Sequence, residues 1–307
     1  MKESARGAIV IFLTYVLWGI LPVYWKALAS INSSEILAHR IVWSCVFSFI
    51  LVAAARKTRD FVSLFRNRRE LVTLMVSSVV VTGNWGLYIW AVNSGKILES
   101  SLGYFINPLI SILLGTMVFK ERLSMIQWLS IGVATVGVCA EVVELGHFPF
   151  VSLGLALLFG IYGLFKKLSA IESTVAFTVE TLLITPFALL WLIWRQSSGA
   201  AHFPYDLWTT VLLIGTGIAT SMPLIMFAWG VKRSAMTTVG LIQYTSPILM
   251  FITGTLVYHE PVSNVRLLSF TLIWISIIFF TVDSFLRAKK VSRTGQQQKC
   301  NRIRRRK

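Results

Sequence analysis

The sequence predicts an all-α integral membrane protein, with ten transmembrane helices arranged as two inverted five-helix repeats. Three observations carry this prediction: an apolar composition, a series of long uncharged stretches, and an internal repeat. Of the 307 residues, 55% are hydrophobic and only 14% are charged. A single water-soluble core cannot enclose that much apolar surface, so the expected solvent is the lipid bilayer.

The uncharged stretches give the number of spans. Each is long enough to cross a hydrocarbon core of roughly 30 Å as a helix, and none has the alternating pattern of a barrel strand. Three stretches contain one charged residue each, namely 36–55 with Arg40, 173–194 with Glu180 and 267–286 with Asp283. Seven more contain no Asp, Glu, Lys or Arg: 7–25, 71–95, 100–119, 123–140, 145–165, 207–231 and 234–258. The total is ten spans, or five in each half of the chain.

An internal repeat defines the two halves. Residues 90–121 recur without a gap 139 positions later, as residues 229–260. Because five is an odd number, the second half enters the membrane from the opposite side, which is the inverted repeat of many secondary transporters. We expect repeats at residues 7–145 and 146–286, followed by a basic, disordered tail at 287–307. The copies share a Trp, a Pro, a Gly-Thr pair and a Glu at one spacing: Trp90 and Trp229, Pro108 and Pro247, Gly115-Thr116 and Gly254-Thr255, Glu121 and Glu260.

The net charge of +16 is concentrated on one predicted side of the membrane. With both termini cytoplasmic, 24 of the 29 Lys and Arg residues fall in cytoplasmic segments, as the positive-inside rule requires. We therefore expect a multi-pass protein of the inner (cytoplasmic) membrane, with the 56–70 loop and the 287–307 tail against anionic membrane lipids. The alternative for the tail is a solvated segment without a partner. No nucleic-acid partner is expected, and a homodimer is left open.

Sequence patterns for catalysis and for cofactor or metal binding are missing. The chain contains no Walker A, dinucleotide-binding, His-Glu-x-x-His or nucleophile-elbow pattern. Cys45, Cys139 and Cys300 have no paired spacing, and the four histidines are scattered over loops and span ends. We therefore expect no catalytic residue, no cofactor and no metal site, and the chain is not predicted to be an enzyme.

Polar residues inside the spans mark the candidate binding site, because each costs free energy in hydrocarbon unless it faces protein or water. In span four the polar residues recur on one helix face. Polar residues also occupy the corresponding positions of span nine, 139 residues later, for part of that face. The alternative, open above all for Ser111 and Ser246, is that small and amide side chains join helices. The prediction is two polar stripes that face each other across an aromatic-lined cavity and bind substrate, through Asn84, Tyr88, Tyr104, Asn107, Gln243 and Ser246.

Spans four and nine each contain a proline as well, at Pro108 and Pro247. A proline removes one helical hydrogen bond and leaves a carbonyl free at a kink. A matched kink would open the backbone near the membrane midplane, where inverted-repeat transporters bind their substrates. The alternative is a static bend that only shapes packing.

Arg40 and Glu180 are the two charges furthest inside spans. Asn32, three residues before Glu35, predicts a capping box and a start of span two near Ser33. Arg40 then lies about 10 Å below the outer surface and Glu180 about 10 Å above the inner surface, so the two are not expected to pair. Both belong to the candidate substrate site, Arg40 at its outer mouth and Glu180, a candidate proton carrier, at its inner mouth. Snorkelling of Arg40 to the headgroups is the alternative.

Several motifs together resemble one family. They are residues 17–26 (LWGILPVYWK), 35–44 (EILAHRIVWS), 84–93 (NWGLYIWAVN), 101–109 (SLGYFINPL) and 243–247 (QYTSP). From about residue 7 to residue 283 the chain resembles the EamA-like branch of the drug/metabolite transporter superfamily, and within it the RarD-type permeases, which are named for chloramphenicol sensitivity. The resemblance implies a permease with a central cavity between spans one to four and six to nine, and with spans five and ten packed peripherally. It does not imply a particular substrate.

The predicted function is therefore that of a secondary transporter, or permease, which moves a small-molecule substrate such as a metabolite or drug by alternating access. One alternative is a membrane enzyme acting on lipid or isoprenoid substrates, which would need convergent acids, a base or a metal near one interface. Another is a non-transporting assembly or sensor subunit that holds a partner with its basic tail.

Overall fold

The computed structural model describes residues 3–94, 96–201, 203–256 and 263–304. These residues contain helices and no strand. The helices are α1 (Glu3–Lys26), α2 (Ser33–Ala54), α3 (Thr58–Leu64), α4 (Arg68–Asn93), α5 (Ile97–Val118), α6 (Met125–Leu145), α7 (Phe150–Leu168), α8 (Ser173–Ser197), α9 (Leu207–Val231), α10 (Met236–Gln243), α11 (Thr245–Leu256) and α12 (Asn264–Arg304).

Eight helices in the described ranges are long and apolar enough to cross a membrane, namely α1, α2, α4, α6, α7, α8, α9 and α12. α5 contributes a shorter apolar part, Leu102–Val118, and α10 and α11 follow each other along the ninth predicted span. Large apolar side chains are exposed, such as Val79 at 71% and Phe187 at 72%. Lipid is the solvent in which such exposure is stable, so the predicted all-helical, multi-pass membrane fold is confirmed. The count of ten spans stays a prediction.

The chain divides into two compact units, each described by itself. Unit 1 comprises Met1–Glu121 and Phe148–Glu260 and contains α1–α5 and α7–α11. Unit 2 comprises Arg122–His147 and Pro261–Lys307 and contains α6 and α12, the predicted spans five and ten. Each unit combines segments from both halves of the sequence. All the candidate site residues belong to unit 1.

Unit 2 is a helix pair joined by small polar residues. α6 begins with a capping box, in which Ser124 and Gln127 each accept from the other's backbone N–H group. Ser269 on α12 donates to the carbonyl oxygen of Gly137 on α6 at 2.8 Å. Small residues at such contacts let two membrane helices approach closely.

α12 extends into the basic segment after residue 286, where composition predicts a disordered tail. The helix ends at Arg304, and residues 305–307 lie outside the described ranges. Lys, Arg, Gln and Ala make up most of residues 287–304. These residue types are good helix formers, so a polar composition does not by itself end the helix.

In unit 1, α2 and α8 pack side by side in opposite directions. Lys57, which follows α2, pairs with Glu172, which caps the start of α8, at 3.1 Å. Arg195 in the last turn of α8 pairs with Glu35 in the first turn of α2 at 3.6 Å. We call these two ends of unit 1 the Glu172 end and the Asn32 end, after the side chains that cap α8 and α2. Because α2 and α8 are the second spans of the two predicted halves, their opposite directions are those of an inverted repeat.

The start of α2 agrees with the sequence prediction in part. Asn32 caps the helix, since its side-chain oxygen accepts from the backbone N–H of Ser34 at 3.0 Å. The expected capping box with Glu35 is not formed, because the Glu35 carboxylate instead accepts from the Tyr205 hydroxyl at 2.7 Å and pairs with Arg195. A distant ion pair has therefore replaced a local backbone contact.

The two matched prolines differ in their effect on the helices. α5 contains Pro108 and is continuous from Ile97 to Val118. The ninth span is interrupted at Tyr244, three residues before Pro247, where α10 ends and α11 begins. The interruption is therefore not matched in the two halves. α5 packs tightly against α10 at its proline, since a Cβ added to Gly240 would lie 2.7 Å from the Pro108 carbonyl oxygen.

This close approach predicts that Gly240→Ala destabilises the protein by about 1–3 kcal/mol, because the added methyl group forces α5 and α10 apart. Gly132 on α6 is the matched control, since an added Cβ there has no neighbour within 4 Å. Gly132→Ala should stabilise its helix by about 0.5–1 kcal/mol. Thermal unfolding of both variants in detergent checks this, and equal stabilisation by both would contradict the tight contact.

Candidate functional site

The structure brings some candidate site residues together and separates others. Arg40, Tyr88 and Tyr104 lie in one cluster, whereas Glu180 lies in another. The Arg40 cluster consists of Arg40, Trp25, Trp85, Tyr88, Tyr104 and Thr220. The Glu180 cluster consists of Glu180, Lys166 and Tyr162.

The Arg40 guanidinium lies against two indole rings. Its central carbon is 4.7 Å from the ring centre of Trp25 on α1 and 5.6 Å from that of Trp85 on α4. Its Nε donates to Thr220 Oγ1 on α9 at 3.0 Å. Cation–π attraction stabilises a guanidinium in such a position. Arg40 thus contacts three other helices of unit 1, which is not the arrangement expected of a side chain that snorkels to the headgroups.

Two tyrosines extend this cluster. The phenol groups of Tyr88 on α4 and Tyr104 on α5 interact electrostatically with the Arg40 guanidinium. Their exposed fractions are 38% and 40%, high values for side chains beside a charge inside a span. Protein therefore leaves much of these two phenol side chains uncovered, and the cluster around Arg40 consists of hydrogen-bond donors and aromatic rings.

Glu180 forms a buried ion pair with Lys166. Lys166 Nζ lies 2.5 Å from Glu180 Oε2, and the two side chains are 1% and 2% exposed. Lys166 Nζ also lies 5.2 Å from the ring centre of Tyr162. Within the described residues, Glu180 Oε1 and the Tyr162 hydroxyl are buried without a hydrogen-bond partner. Unsatisfied buried oxygens are costly and therefore concentrate at functional sites.

Lys166 is the site residue that sequence reasoning missed. The positive-inside pattern places Lys166 and Lys167 among the 24 cytoplasmic Lys and Arg residues, which predicts a solvated side chain. α7 continues to Leu168, so Lys166 lies in its last turn and is enclosed by the bundle. One feature of the sequence could have indicated the pair. Glu180 follows Lys166 by 14 residues, across a short loop, and is the one charged residue in its span.

Arg40 and Glu180 lie at the same distance from the starts of their helices. Each is the eighth residue of its helix, counted from Ser33 in α2 and from Ser173 in α8. Because α2 and α8 run in opposite directions, Arg40 lies nearer the Asn32 end and Glu180 nearer the Glu172 end. Their partners differ as well, Thr220 for Arg40 and Lys166 for Glu180.

Aromatic side chains connect the two clusters. Trp85 contacts Arg40 and packs against the aromatic core, while Tyr162 belongs to that core and contacts Lys166. The rings are 5.0 to 6.3 Å apart between centres, mostly in edge-to-face or tilted contacts. The core consists of Tyr15, Trp18, Phe159, Tyr162 and Phe227.

Spans four and nine touch each other where the sequence predicts facing polar stripes. Ser111 Oγ donates to Gln243 Oε1 at 2.9 Å, and both side chains are buried. Where Ser111 meets Gln243, the polar side chains join two helices. This is the alternative that the sequence left open. Ser246 is also buried, at 3% exposure.

The two asparagines of the candidate site have different surroundings. Asn84 Nδ2 donates to the carbonyl oxygen of Leu155 on α7 at 2.9 Å, so this amide joins α4 to α7. Asn107 on α5 is 8% exposed, and within the described chain its Oδ1 is buried without a partner. Asn107 therefore retains an unused acceptor, whereas Asn84 uses its donor to hold a neighbouring helix.

Two lysines join helix ends at the Glu172 end. Lys167 in the last turn of α7 donates to the carbonyl oxygen of Ser234, in the loop after α9. Lys232, which follows α9, donates to the carbonyl oxygen of Ile171, in the loop after α7. Each lysine lies at the end of one helix and binds a backbone carbonyl in the loop that follows the other helix. We call this pair of contacts the lysine crosslink.

Charge and burial shift two pKa values at this end. Burial is the main cause that lowers the pKa of Lys232 to about 8, and the Lys166 charge adds to it. Burial opposes ionisation of Glu172, but hydrogen bonds from the Val175 N–H group, from Lys57 and from the Thr174 hydroxyl lower its pKa below the usual value. Glu172 is therefore held as an anion at the start of α8, where the helix dipole favours it.

The repeated Glu at position 121 caps a helix. Its two carboxylate oxygens accept from the backbone N–H groups of Met236 and Thr237 at 2.7 and 2.9 Å, at the start of α10. Gly115 permits this, because an added Cβ would lie 2.9 Å from Glu121 Oε2. The counterpart, Glu260, lies outside the described residues, as do the side chains of Gly254-Thr255.

Comparison with known proteins gives matches along nearly the whole chain. The model of the EamA-like transporter family matches residues 5–141 and 149–282. YojE of Bacillus subtilis, an uncharacterized transporter, is 38% identical over 298 residues, which cover 95% of this chain and 98% of that protein. Protein RarD of Escherichia coli is 35% identical over 295 residues, with coverage of 95% and 99%. The chloramphenicol-sensitive protein RarD of Pseudomonas aeruginosa is 29% identical over 300 residues, with coverage of 96% and 100%.

A solved crystal structure is similar in fold. It superposes with a TM-score of 0.69 and covers 91% of this chain and 98% of its own. The sequence identity is 16%, so the likeness concerns the fold alone.

The lowered pKa of Lys232 predicts a pH-dependent stability. Between about pH 8 and the ordinary lysine pKa near 10.5, the folded chain has lost the Lys232 proton while the unfolded chain keeps it. The unfolded state then binds more protons, so stability rises with pH. The unfolding temperature of the wild type relative to Lys232→Met should therefore increase from pH 8 to pH 10. A constant difference across this range would show that Lys232 is not buried as described.

Proposed function

Because the chain belongs to the EamA-like transporter family, we propose that it is a secondary transporter that moves a small organic solute across the cytoplasmic membrane by alternating access. The family points to transport and not to catalysis. The solute would bind in unit 1, between the Arg40 cluster and the Glu180 cluster. A binding centre between inverted repeats is the arrangement by which such proteins expose one site to each side in turn.

The observation that carries this proposal is the paired placement of Arg40 and Glu180. Each of these charges is the eighth residue of its helix, and because α2 and α8 are antiparallel, one lies nearer each end of unit 1. Charged groups inside spans are costly and are retained at substrate and ion pathways. A charge of opposite sign near each mouth provides a different contact for the solute or its coupling ion in each state.

The described arrangement supports a state that is closed at the Glu172 end. The lysine crosslink joins the loops after α7 and α9 there, and Lys57 joins the start of α8 to the segment after α2. Toward the Asn32 end, Tyr88 and Tyr104 keep much of their surface exposed. Opening of the Glu172 end would require the lysine crosslink to separate.

We further propose that the Asn32 end faces the outside and that both termini are cytoplasmic. The positive charges of residues 56–70 and 287–304 then face the cytoplasmic leaflet, as the positive-inside rule requires. There they would contact anionic headgroups.

This orientation predicts the labelling of two single cysteines placed at exposed serines, Ser198 at the Asn32 end and Ser63 at the Glu172 end. In a background without Cys45, Cys139 and Cys300, a membrane-impermeant maleimide should label Ser198→Cys in intact cells. Ser63→Cys should react only after the membrane is permeabilised. Labelling of both from one side would reject the inverted arrangement, and the reverse pattern would reject the orientation.

Glu180 is the proposed coupling group of the transporter. Its carboxylate is buried, pairs with one cation and keeps one oxygen without a partner, so a proton can be accepted there when the pair with Lys166 separates. Removal of Lys166 alone would leave a buried uncompensated charge, which is strongly destabilising. A change at both positions keeps the bundle neutral.

We expect Glu180→Gln to reduce proton-gradient-driven uptake by proteoliposomes at least about tenfold, because the variant cannot exchange a proton. Solutes for the assay come from a thermal-shift screen of metabolites and drugs that includes chloramphenicol, since a bound ligand raises the unfolding temperature.

The matched control is the double variant Glu180→Gln with Lys166→Met. It should restore the unfolding temperature lost in either single variant, yet remain inactive in uptake. Driven uptake at the wild-type rate by this double variant would remove Glu180 from the mechanism. Exchange of solute without a gradient should survive in it, which separates coupling from binding.

A further inference from the structure

Arg40 differs from the buried acids of the described helices in having no opposite charge within ion-pair distance. No carboxylate in the described ranges lies within ion-pair distance of its guanidinium, and its electrostatic neighbours are the phenols of Tyr88 and Tyr104. A cation inside a span without a counter-ion is costly. By contrast, each of five buried acids has a Lys or Arg within 4.0 Å: Glu35 has Arg195, Glu99 has Lys96, Glu141 has Arg266, Glu180 has Lys166 and Asp283 has Arg287.

The free groups around Arg40 are hydrogen-bond donors. Nε donates to Thr220, and neither terminal nitrogen of Arg40 is among the buried polar atoms without a partner in the described chain. Neither the Tyr88 nor the Tyr104 hydroxyl has a hydrogen-bond partner in that part of the chain, and both side chains are well exposed. A guanidinium fork with two phenol donors matches the two oxygens of a carboxylate.

The rings beside the guanidinium are apolar and flat. Trp25 and Trp85 flank the guanidinium, and Trp85 continues into the aromatic core of unit 1. Such rings suit an aromatic or aliphatic body, whereas a cationic solute would meet the uncompensated charge of Arg40. Charge and shape therefore favour one class of ligand.

Resting on the proposed transport function, we propose that the Arg40 cluster binds the carboxylate of a small organic anion whose aromatic or aliphatic body packs against the indole rings beside the guanidinium. The bound anion supplies the charge that Arg40 lacks. Binding neutralises the site. An anion paired with Arg40 is held in the low-dielectric interior at a lower free-energy cost than a lone charge.

The test measures binding without transport. Purified protein in nanodiscs of phosphatidylcholine is titrated with monocarboxylates, namely phenylacetate, 3-phenylpropionate, indole-3-acetate and hexanoate, and with the primary amide of each. Tryptophan fluorescence and the unfolding temperature are the readouts. At least one carboxylate should bind about tenfold or more tightly than its amide, the ratio expected when a charged hydrogen-bond pair is lost.

Three variants assign the binding to Arg40. Arg40→Gln should abolish the preference for carboxylate over amide while leaving the empty protein at least as stable, because it removes an uncompensated charge. Tyr104→Phe should weaken carboxylate binding severalfold without affecting the amide. Arg287→Gln is the matched control, since this exposed arginine lies in unit 2, and it should bind like the wild type.

The proposal is overturned if no carboxylate in the panel is preferred over its amide, or if the preference survives in Arg40→Gln. It is also overturned if phosphatidylglycerol in the nanodisc abolishes carboxylate binding in proportion to its content, since a lipid phosphate would then be the natural occupant. The proposed transport function is tested separately from the proposed carboxylate site. Arg40-dependent carboxylate binding without flux in vesicles would reject transport and support the site. Flux of amides or amines that persists in Arg40→Gln would support transport and reject the site.

Discussion

A charge inside a membrane helix must be paired, hydrogen-bonded or exposed to water, and this constraint organises unit 1. The pairs Glu35–Arg195 and Lys57–Glu172 lie at opposite ends of α2 and α8, so together they hold the register of two antiparallel helices. The pair Lys166–Glu180 joins α7 to α8 deeper in the bundle. A buried ion pair contributes little net free energy to folding. Loss of one partner, however, leaves an uncompensated buried charge and is strongly destabilising. A rearrangement that separated these helices would have to exchange or protonate the paired groups.

The two halves share a scaffold but differ in chemistry. The eighth residue of α2 is Arg40, a cation without an ion pair among the described residues, and that of α8 is Glu180, an anion inside an ion pair. Equivalent spans are a continuous α5 and an interrupted α10–α11. Duplication supplies two helices of opposite direction around one centre, and divergence at a few positions then makes its two ends unlike. Each end of unit 1 therefore has its own charged group and its own set of contacts.

Much of the fold could be predicted because its determinants are local. Length and apolarity predict helices that cross a membrane, and the offset between Pro108 and Pro247 reveals the duplication. The separation of Arg40 from Glu180 followed from helix geometry. Side-chain partners were harder to predict, since they depend on rotation and register between helices distant in sequence. Lys166 belongs by composition to a solvated cluster and by structure to a buried pair.

The aromatic core offers a physical connection between the two charged clusters. Trp85 contacts both Arg40 and the core, and Tyr162 contacts both the core and Lys166. Close-packed rings repack in discrete steps, so a ligand that displaces Trp85 would change the space available to Tyr162. Tyr162 and Glu180 each keep a buried oxygen without a partner, so a small shift there creates a hydrogen bond or admits a proton. Linkage is reciprocal, and protonation of Glu180 would then alter affinity at Arg40 by the same factor. Under the proposed mechanism, ligand binding at Arg40 and protonation of Glu180 would form one coupled equilibrium.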